Sequence, residues 1–301
     1  MLISCPCCKR KISNTAETCP WCGCDVQKEL RENIEFAIWC AKWGGIPFII
    51  FIFSVFVLSE TIENNGGICL WIWLIAQISA VKTFLKNGVD VNAMSGHSTT
   101  LLYWACLEGH TDIVKLLLDN GAETEKGHLL GNTALIVASE KGYTDIVKLL
   151  LDSEANVNRQ GFMLKTPLMY ACEKRNLAVA KLLLEYRADI DLQSYDEDTA
   201  LIMAVSGSID NIEENGNKEI VELLLKQGAN ANLQNEDGYT ALLIAVSSGN
   251  KEIVQLLLEN GADINIKNID GKTAWSLAEE RNYSKIVDLL KKYLPKRRLE
   301  L

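Results

Sequence analysis

The chain has 301 residues, of which 48% are hydrophobic and 23% charged, close to the norm for globular proteins, so wholesale disorder is excluded. Its formal net charge is −9 and its pI about 5.0, which argues against the basic face that broad nucleic-acid binding requires. Of its 10 cysteines, Cys40, Cys69, Cys106 and Cys172 lie far apart and the rest crowd the N-terminus, which is not the pattern of a disulfide framework.

The crowded cysteines come first. "CPCCKRKISNTAETCPWCG", residues 5–23, holds two C-x-x-C pairs, Cys5 with Cys8 and Cys19 with Cys22. Each pair can set two thiolates on one side of a tight turn, and two such turns supply four sulfurs for tetrahedral zinc. Gly23 suits a knuckle that needs a left-handed residue, whereas Lys9 stands in the matching place after the first pair. Cys7 and Cys24 are extra thiols and stand as alternative ligands. The expectation is one structural zinc ion on Cys5, Cys8, Cys19 and Cys22, in a domain over 1–26. This segment resembles the small zinc ribbons of bacterial N-termini. A redox thiol cluster competes, since C-x-x-C also cycles as a disulfide, although the accompanying βαβ pattern is missing. That alternative makes the chain a thiol- or zinc-responsive regulator with the N-terminal cysteines as sensor.

A linker, 27–42, leads into "GGIPFIIFIFSVFVLSE", and Trp43 to Ser59 carry no charge. A secretory signal does not begin some 40 residues into a chain. A buried core helix of that length shows a polar face, which this one lacks. Seventeen residues span about 26 Å as a helix, enough for a bilayer core of about 30 Å. Lys42, Trp39 and Trp43 suit the interface, and Pro47 falls in the first turn. A transmembrane helix is therefore expected over 43–59, with the lipid bilayer as a partner. Lys28, Arg31 and Lys42 precede it and Glu60 and Glu63 follow, which puts the N-terminus in the cytoplasm. A single span then carries the rest of the chain across. A second span over 68–81, turning at "NNGG", would return it instead; a single pass is the preferred reading, and the side on which the remainder lies stays open.

From residue 100 onward the sequence repeats. "TLLYWACLEGHTDIVKLLLDNGAE", "TALIVASEKGYTDIVKLLLDSEANVN" and "TALLIAVSSGNKEIVQLLLENGADIN" align, and Thr100, Thr133, Thr166, Thr199, Thr240 and Thr273 step by 33, 33, 33, 41 and 33 residues. The long step holds an insertion within "SGSIDNIEENGNKE". Threonine is a good helix N-cap, and Pro167 suits a first helical position. Leu135 and Ala138 recur at helical spacing, and Ile146, Val147, Leu149 and Leu150 form an apolar stripe on a second helix. Gly121, Gly228 and Gly261 permit the left-handed residue that ends it, but Glu154 and Arg187 stand in the equivalent places, where strained or frayed helix ends are expected. One helix pair cannot bury both faces, so the pairs must stack.

These residues resemble the ankyrin repeat: its T-P-L-H-x-A opening, G-H-x-x-I-V-x-L-L-L middle and G-A-D-x-N ending all recur. "VKTFLKNGVDVNA", 81–93, aligns without a gap to the second half of a further repeat, which gives "ICLWIWLIAQ", 68–77, as its inner helix. The resemblance implies a mainly α fold: a solenoid of helix pairs with β-turn fingers over 67–293, preceded by the zinc ribbon and the hydrophobic helix. Seven repeats are expected, the first degenerate and the fifth carrying the insertion, with a basic tail over 294–301.

Chemistry is not expected of this array. His110 sits at the family's Gly-His position, where it caps or braces a helix, and His97 and His128 fall in loops. No phosphate loop, G-x-S-x-G elbow or H-E-x-x-H pair is present, so no enzyme and no small-molecule substrate are expected. The resemblance implies a protein partner in the concave groove lined by finger tips and inner helices. The family's variable positions fall here on Met94, His97, Glu108, Leu129, Leu130 and Lys141. They continue through Phe162, Met163, Lys174, Tyr195 and Asp196 to Glu236, Asp237, Tyr239 and Ile269. Aromatic and Met side chains on exposed tips suit interface anchors, and the acidic sites favour protein over nucleic acid.

Overall fold

The computed structural model describes residues 2–4, 11–13, 78–94, 99–128, 131–206 and 216–293, in two units, Met1–Val89 and Asp90–Leu301. The cysteine pairs, the charge-free run at 43–59, the stretch 68–77, the insertion and the basic tail lie outside the described residues. Among the described residues no helix is long and apolar enough to cross a membrane, and no group of three or more His, Cys, Asp or Glu could hold a metal ion.

In the first unit, β1 (Leu2–Ser4) and β2 (Lys11–Ser13) pair antiparallel, with Leu2 opposite Ser13 and Ile3 opposite Ile12. Helix α1 (Ile78–Lys86) begins three residues before the 81–93 alignment. It closes as the later second helices do, with Gly88 at φ 78° and the Val89 amide donating to the Phe84 carbonyl at 3.2 Å.

The second unit is a two-layer stack of helix pairs. The first members are α2 (Leu101–Glu108), α4 (Ala134–Lys141), α6 (Pro167–Glu173), α8 (Ala200–Ser206), α10 (Ala241–Ser247) and α12 (Ala274–Glu280). The second members are α3 (Thr111–Asp119), α5 (Thr144–Asp152), α7 (Leu177–Glu185), α9 (Gly216–Lys226), α11 (Lys251–Glu259) and α13 (Ser284–Tyr293). Each helix packs on its own partner and on its counterpart in the next pair.

Local chemistry sets this pattern. At each first helix the threonine hydroxyl accepts from an amide three residues on: Thr100 from Tyr103, Thr133 from Ile136, Thr166 from Met169, Thr199 from Ile202, Thr240 from Leu243 and Thr273 from Ser276. Pro167 takes the first position of α6 as expected. Ala105, Ala138, Ala171, Ala204, Ala245 and Ala278 are all buried, and their small size lets neighbouring first helices approach. On α5 the buried stripe is Ile146, Val147, Leu150 and Leu151, so Leu151 takes the core place expected of Leu149, which is half-buried.

Gly121, Gly228 and Gly261 have φ of 81°, 88° and 84°. Glu154 and Arg187 adopt φ 62° in the same places, which L-residues with a Cβ occupy only at a cost. Neither end is frayed: the Ala155 and Ala188 amides donate to the Leu150 and Leu183 carbonyls at 3.0 Å, as Ala122 does to Leu117 after Gly121. His110 makes no side-chain cap bond to α3. At the equivalent place of a later repeat Asn176 braces the preceding first helix: its Nδ2 donates to the carbonyls of Ser139 and Glu140 at 2.9 and 3.0 Å.

Candidate functional site

Between the second helix of one pair and the first helix of the next, the chain runs out and back as a finger. Backbone bonds close the tips: Gly161 to Lys165, Ser194 to Asp198, Asn235 to Tyr239 and Asn268 to Lys272, at 2.9–3.0 Å. In three of them the first residue's side chain also accepts the returning amide, Ser194 Oγ from Asp198 at 3.1 Å, Asn235 Oδ1 from Tyr239 at 2.9 Å and Asn268 Oδ1 from Lys272 at 2.8 Å. At Gly161 a Cβ would stand 2.3 Å from Asn132 Oδ1 and 2.7 Å from Ile136 Cδ1, so a larger residue would have to displace these side chains of the neighbouring repeat.

Two side-chain ladders tie finger to finger. Asn92, Asn158, Asp191 and Asn232 accept, through a side-chain oxygen, the amides of Glu123, Asp189, Asn230 and Asp263 at 2.8–2.9 Å. Glu125 does the same for Asn156 at 2.9 Å. Gln160, Gln193 and Gln234 donate from Nε2 to the carbonyls of Gln193, Gln234 and Lys267 at 3.2, 3.0 and 2.9 Å. At the outermost row the Tyr195 amide donates to the Met163 carbonyl at 2.8 Å, Glu236 to Asp196 at 3.1 Å and Ile269 to Asp237 at 3.1 Å. The tips therefore form one hydrogen-bonded ridge from Met163 to Ile269.

This ridge brings together six of the residues singled out from sequence: Met163, Tyr195, Asp196, Glu236, Asp237 and Ile269. Tyr195 is 67% exposed, Ile269 72% and Phe162, on the third finger, 46%. Met163 is half-buried at φ 56°, next to Leu164 at φ 55°. Tyr239 is half-buried at the base of its finger, and Met94 is exposed and bridges Thr100. Glu108, Lys141 and Lys174 are exposed at the C-terminal ends of first helices, away from the tips. His97, Leu129 and Leu130 lie outside the described residues.

Other residues define the surface between fingers and first helices. Lys165 Nζ lies 2.8 Å from Glu173 and 5.6 Å from the Tyr170 ring, and Lys272 Nζ lies 2.7 Å from Glu280. Both ion pairs join the residue before a capping threonine to the same helix eight residues on, a spacing visible in the sequence. Trp104 Nε1 donates to Thr99 Oγ1 at 3.0 Å, and the Tyr103 and His128 rings lie 5.8 Å apart. Asp198 is half-buried and accepts from Asn235 Nδ2 at 3.1 Å. Burial pushes its carboxyl up from the ordinary range; the Asn235 bond opposes this, and the charges of Asp196 and Asp237 add to it. Cys106 and Cys172 are buried free thiols, their pKa raised by burial alone, and neither has the thiolate character of a nucleophile.

The family described as ankyrin repeats, in three copies, matches residues 72–161, 162–214 and 212–297. The first match begins inside the 68–81 stretch. Among solved structures, the ankyrin repeat domain of Bcl-3, a member of the IkappaB protein family, is similar, with TM-score 0.63 and 28% sequence identity over 74% of this chain and 97% of that one. An ankyrin repeat domain from Acinetobacter baumannii AYE is similar with TM-score 0.58 and 29% identity over 64% of this chain and 96% of that one. No curated protein matches.

Proposed function

The chain belongs to the ankyrin-repeat family, and we propose from that membership that it is a scaffold that grips a protein partner along its fingers and first-helix ends, and from the run at 43–59 that it is tethered to a membrane. Ankyrin repeats are usually non-catalytic and suggest protein partners. The observation that carries the proposal is the ridge from Met163 to Ile269. It holds large apolar side chains in the open on a backbone that neighbouring fingers immobilise. Such anchors lose little conformational freedom on binding, so more of their contact energy appears as affinity. The remaining candidate contacts are Met94, His97, Glu108, Leu129, Leu130, Lys141, Phe162, Lys174 and Tyr239.

The tether is the charge-free run at 43–59, and the zinc ribbon of Cys5, Cys8, Cys19 and Cys22 precedes it. Support for the ribbon comes from the β1–β2 hairpin, whose strands flank Cys5 and Cys8 as the arms of a knuckle do. Zinc bound there would hold the small domain together, with no catalytic role.

Crosslinking in the native membrane, with and without residues 94–290, tests the scaffold. A discrete protein adduct that disappears with the repeats is the expected result. Adducts that persist without them, or none in either case, would refute it. Deleting 43–59 should move the chain to the soluble fraction.

A further inference from the structure

Successive fingers present Phe162, Tyr195, Glu236 and Ile269 at one equivalent position of the repeat. Three are apolar or aromatic and exposed, and the fourth is acidic. Glu236 has Asp196 hydrogen-bonded through the backbone beside it, Asp237 next in sequence, and Asp198 half-buried nearby. Among the described residues none of these four carboxylates lies within ion-pair distance of a lysine or arginine. Asp196 and Asp237 repel the Asp198 carboxylate, an effect that the charge of Lys165 opposes, and the exposed Glu236 and Asp237 remain open to a further cation. The row therefore reads apolar, apolar, acidic, apolar.

The pitch of the row suits a polyproline II segment better than a β-strand. Each finger is two chain passages, and hydrogen-bonded passages lie about 4.8 Å apart, so equivalent positions recur about every 10 Å. A β-strand turns alternate side chains to opposite faces and cannot offer every third residue to one ridge. A polyproline II segment has three residues per turn with a rise of about 3.1 Å each, so one turn covers about 9 Å and every third side chain shares a face.

Resting on the scaffold reading, we propose that the finger tips bind a polyproline II segment of the partner protein, one turn per finger. An apolar residue sits on Tyr195, an arginine or lysine three positions along meets Asp196, Glu236 and Asp237, and an apolar residue three further along sits on Ile269.

The test uses the full chain and two fluorescein-labelled peptides of equal composition, Leu-Pro-Pro-Arg-Pro-Pro-Leu and Leu-Pro-Arg-Pro-Pro-Pro-Leu, read by fluorescence polarisation. The first is symmetric, so strand direction does not enter. It should bind at least about tenfold more tightly than the second, and than its own Arg-to-Glu version. The double substitution Glu236→Gln with Asp237→Asn, and separately Ile269→Ser, should each weaken it by about tenfold with an unchanged thermal melt. Rising salt should weaken it further. Equal binding of the two peptides, no binding of the first, or binding indifferent to these substitutions would overturn the proposal. So would tighter peptide binding after removal of residues 294–301, which would make the chain's own basic tail the occupant. A crosslinked partner that needs the repeats but ignores the tip substitutions would leave the scaffold standing and remove this inference alone.

Discussion

The side chain of Gln193 donates from Nε2 to the main-chain carbonyl of Gln234 at 3.0 Å, although 41 residues separate them. The same amide also donates to the Glu197 carbonyl at 2.8 Å. One side chain thus closes its own finger and locks it to the next, across the repeat that carries the insertion. Net intramolecular hydrogen bonds are worth about 1 kcal/mol each, and both carbonyls can be rehydrated. Gln193→Ala should lower the unfolding free energy by about 1–2 kcal/mol, measured by urea denaturation. A loss below experimental error would mean the ladder is decorative.

Glu154 and Arg187 supply the second prediction. Both hold φ 62° while keeping the closing bonds of their helices. Replacing each with glycine removes a steric cost of about 1–2 kcal/mol and adds back part of it as unfolded-state freedom. Each variant should gain about 0.5–1 kcal/mol, seen as a higher melting temperature. Unchanged melting in both would contradict the strain.

Asp198 makes stability depend on pH. Its carboxyl is raised by burial and by Asp196 and Asp237, against the Asn235 hydrogen bond and the charge of Lys165. The folded chain keeps this proton at a pH where the unfolded chain has released it, so stability falls as pH rises from the ordinary Asp value through the raised one. Asp198→Asn keeps an acceptor for Asn235 and cannot ionise. It should be more stable than the parent near pH 7, with the gap closing towards about pH 4 in denaturation curves. A gap of constant size would exclude ionisation as its cause.

Metal content tests the N-terminal reading. Elemental analysis of the chain purified under reducing conditions should find one zinc per molecule. Cys19→Ser combined with Cys22→Ser should abolish it, and Cys7→Ser should not. Zinc-free protein would leave the cysteines to thiol chemistry.

The six helix starts were readable because a threonine cap works through an amide three residues away, and the left-handed ends because glycine marks them locally. The ladders were not read. The groups that Asn92, Asn158 and Gln193 bind lie 31 to 41 residues off, and nothing nearby in sequence announces them. The 33-residue recurrence of those side chains was nevertheless in view. The brace that Asn176 makes is equally non-local, since the carbonyls of Ser139 and Glu140 lie 37 and 36 residues back. Of the tips, Tyr195 and Ile269 were legible as large apolar residues in turn positions. Asp198 was not, because its importance comes from Asn235, Asp196 and Asp237 around it.

Among the described helices each pair packs on its neighbours, through recurring amide contacts between fingers, a seam of alanines and the apolar faces of both layers. A chain hauled from its ends would therefore give way in instalments and recoil the same way, as a spring with a stepped extension.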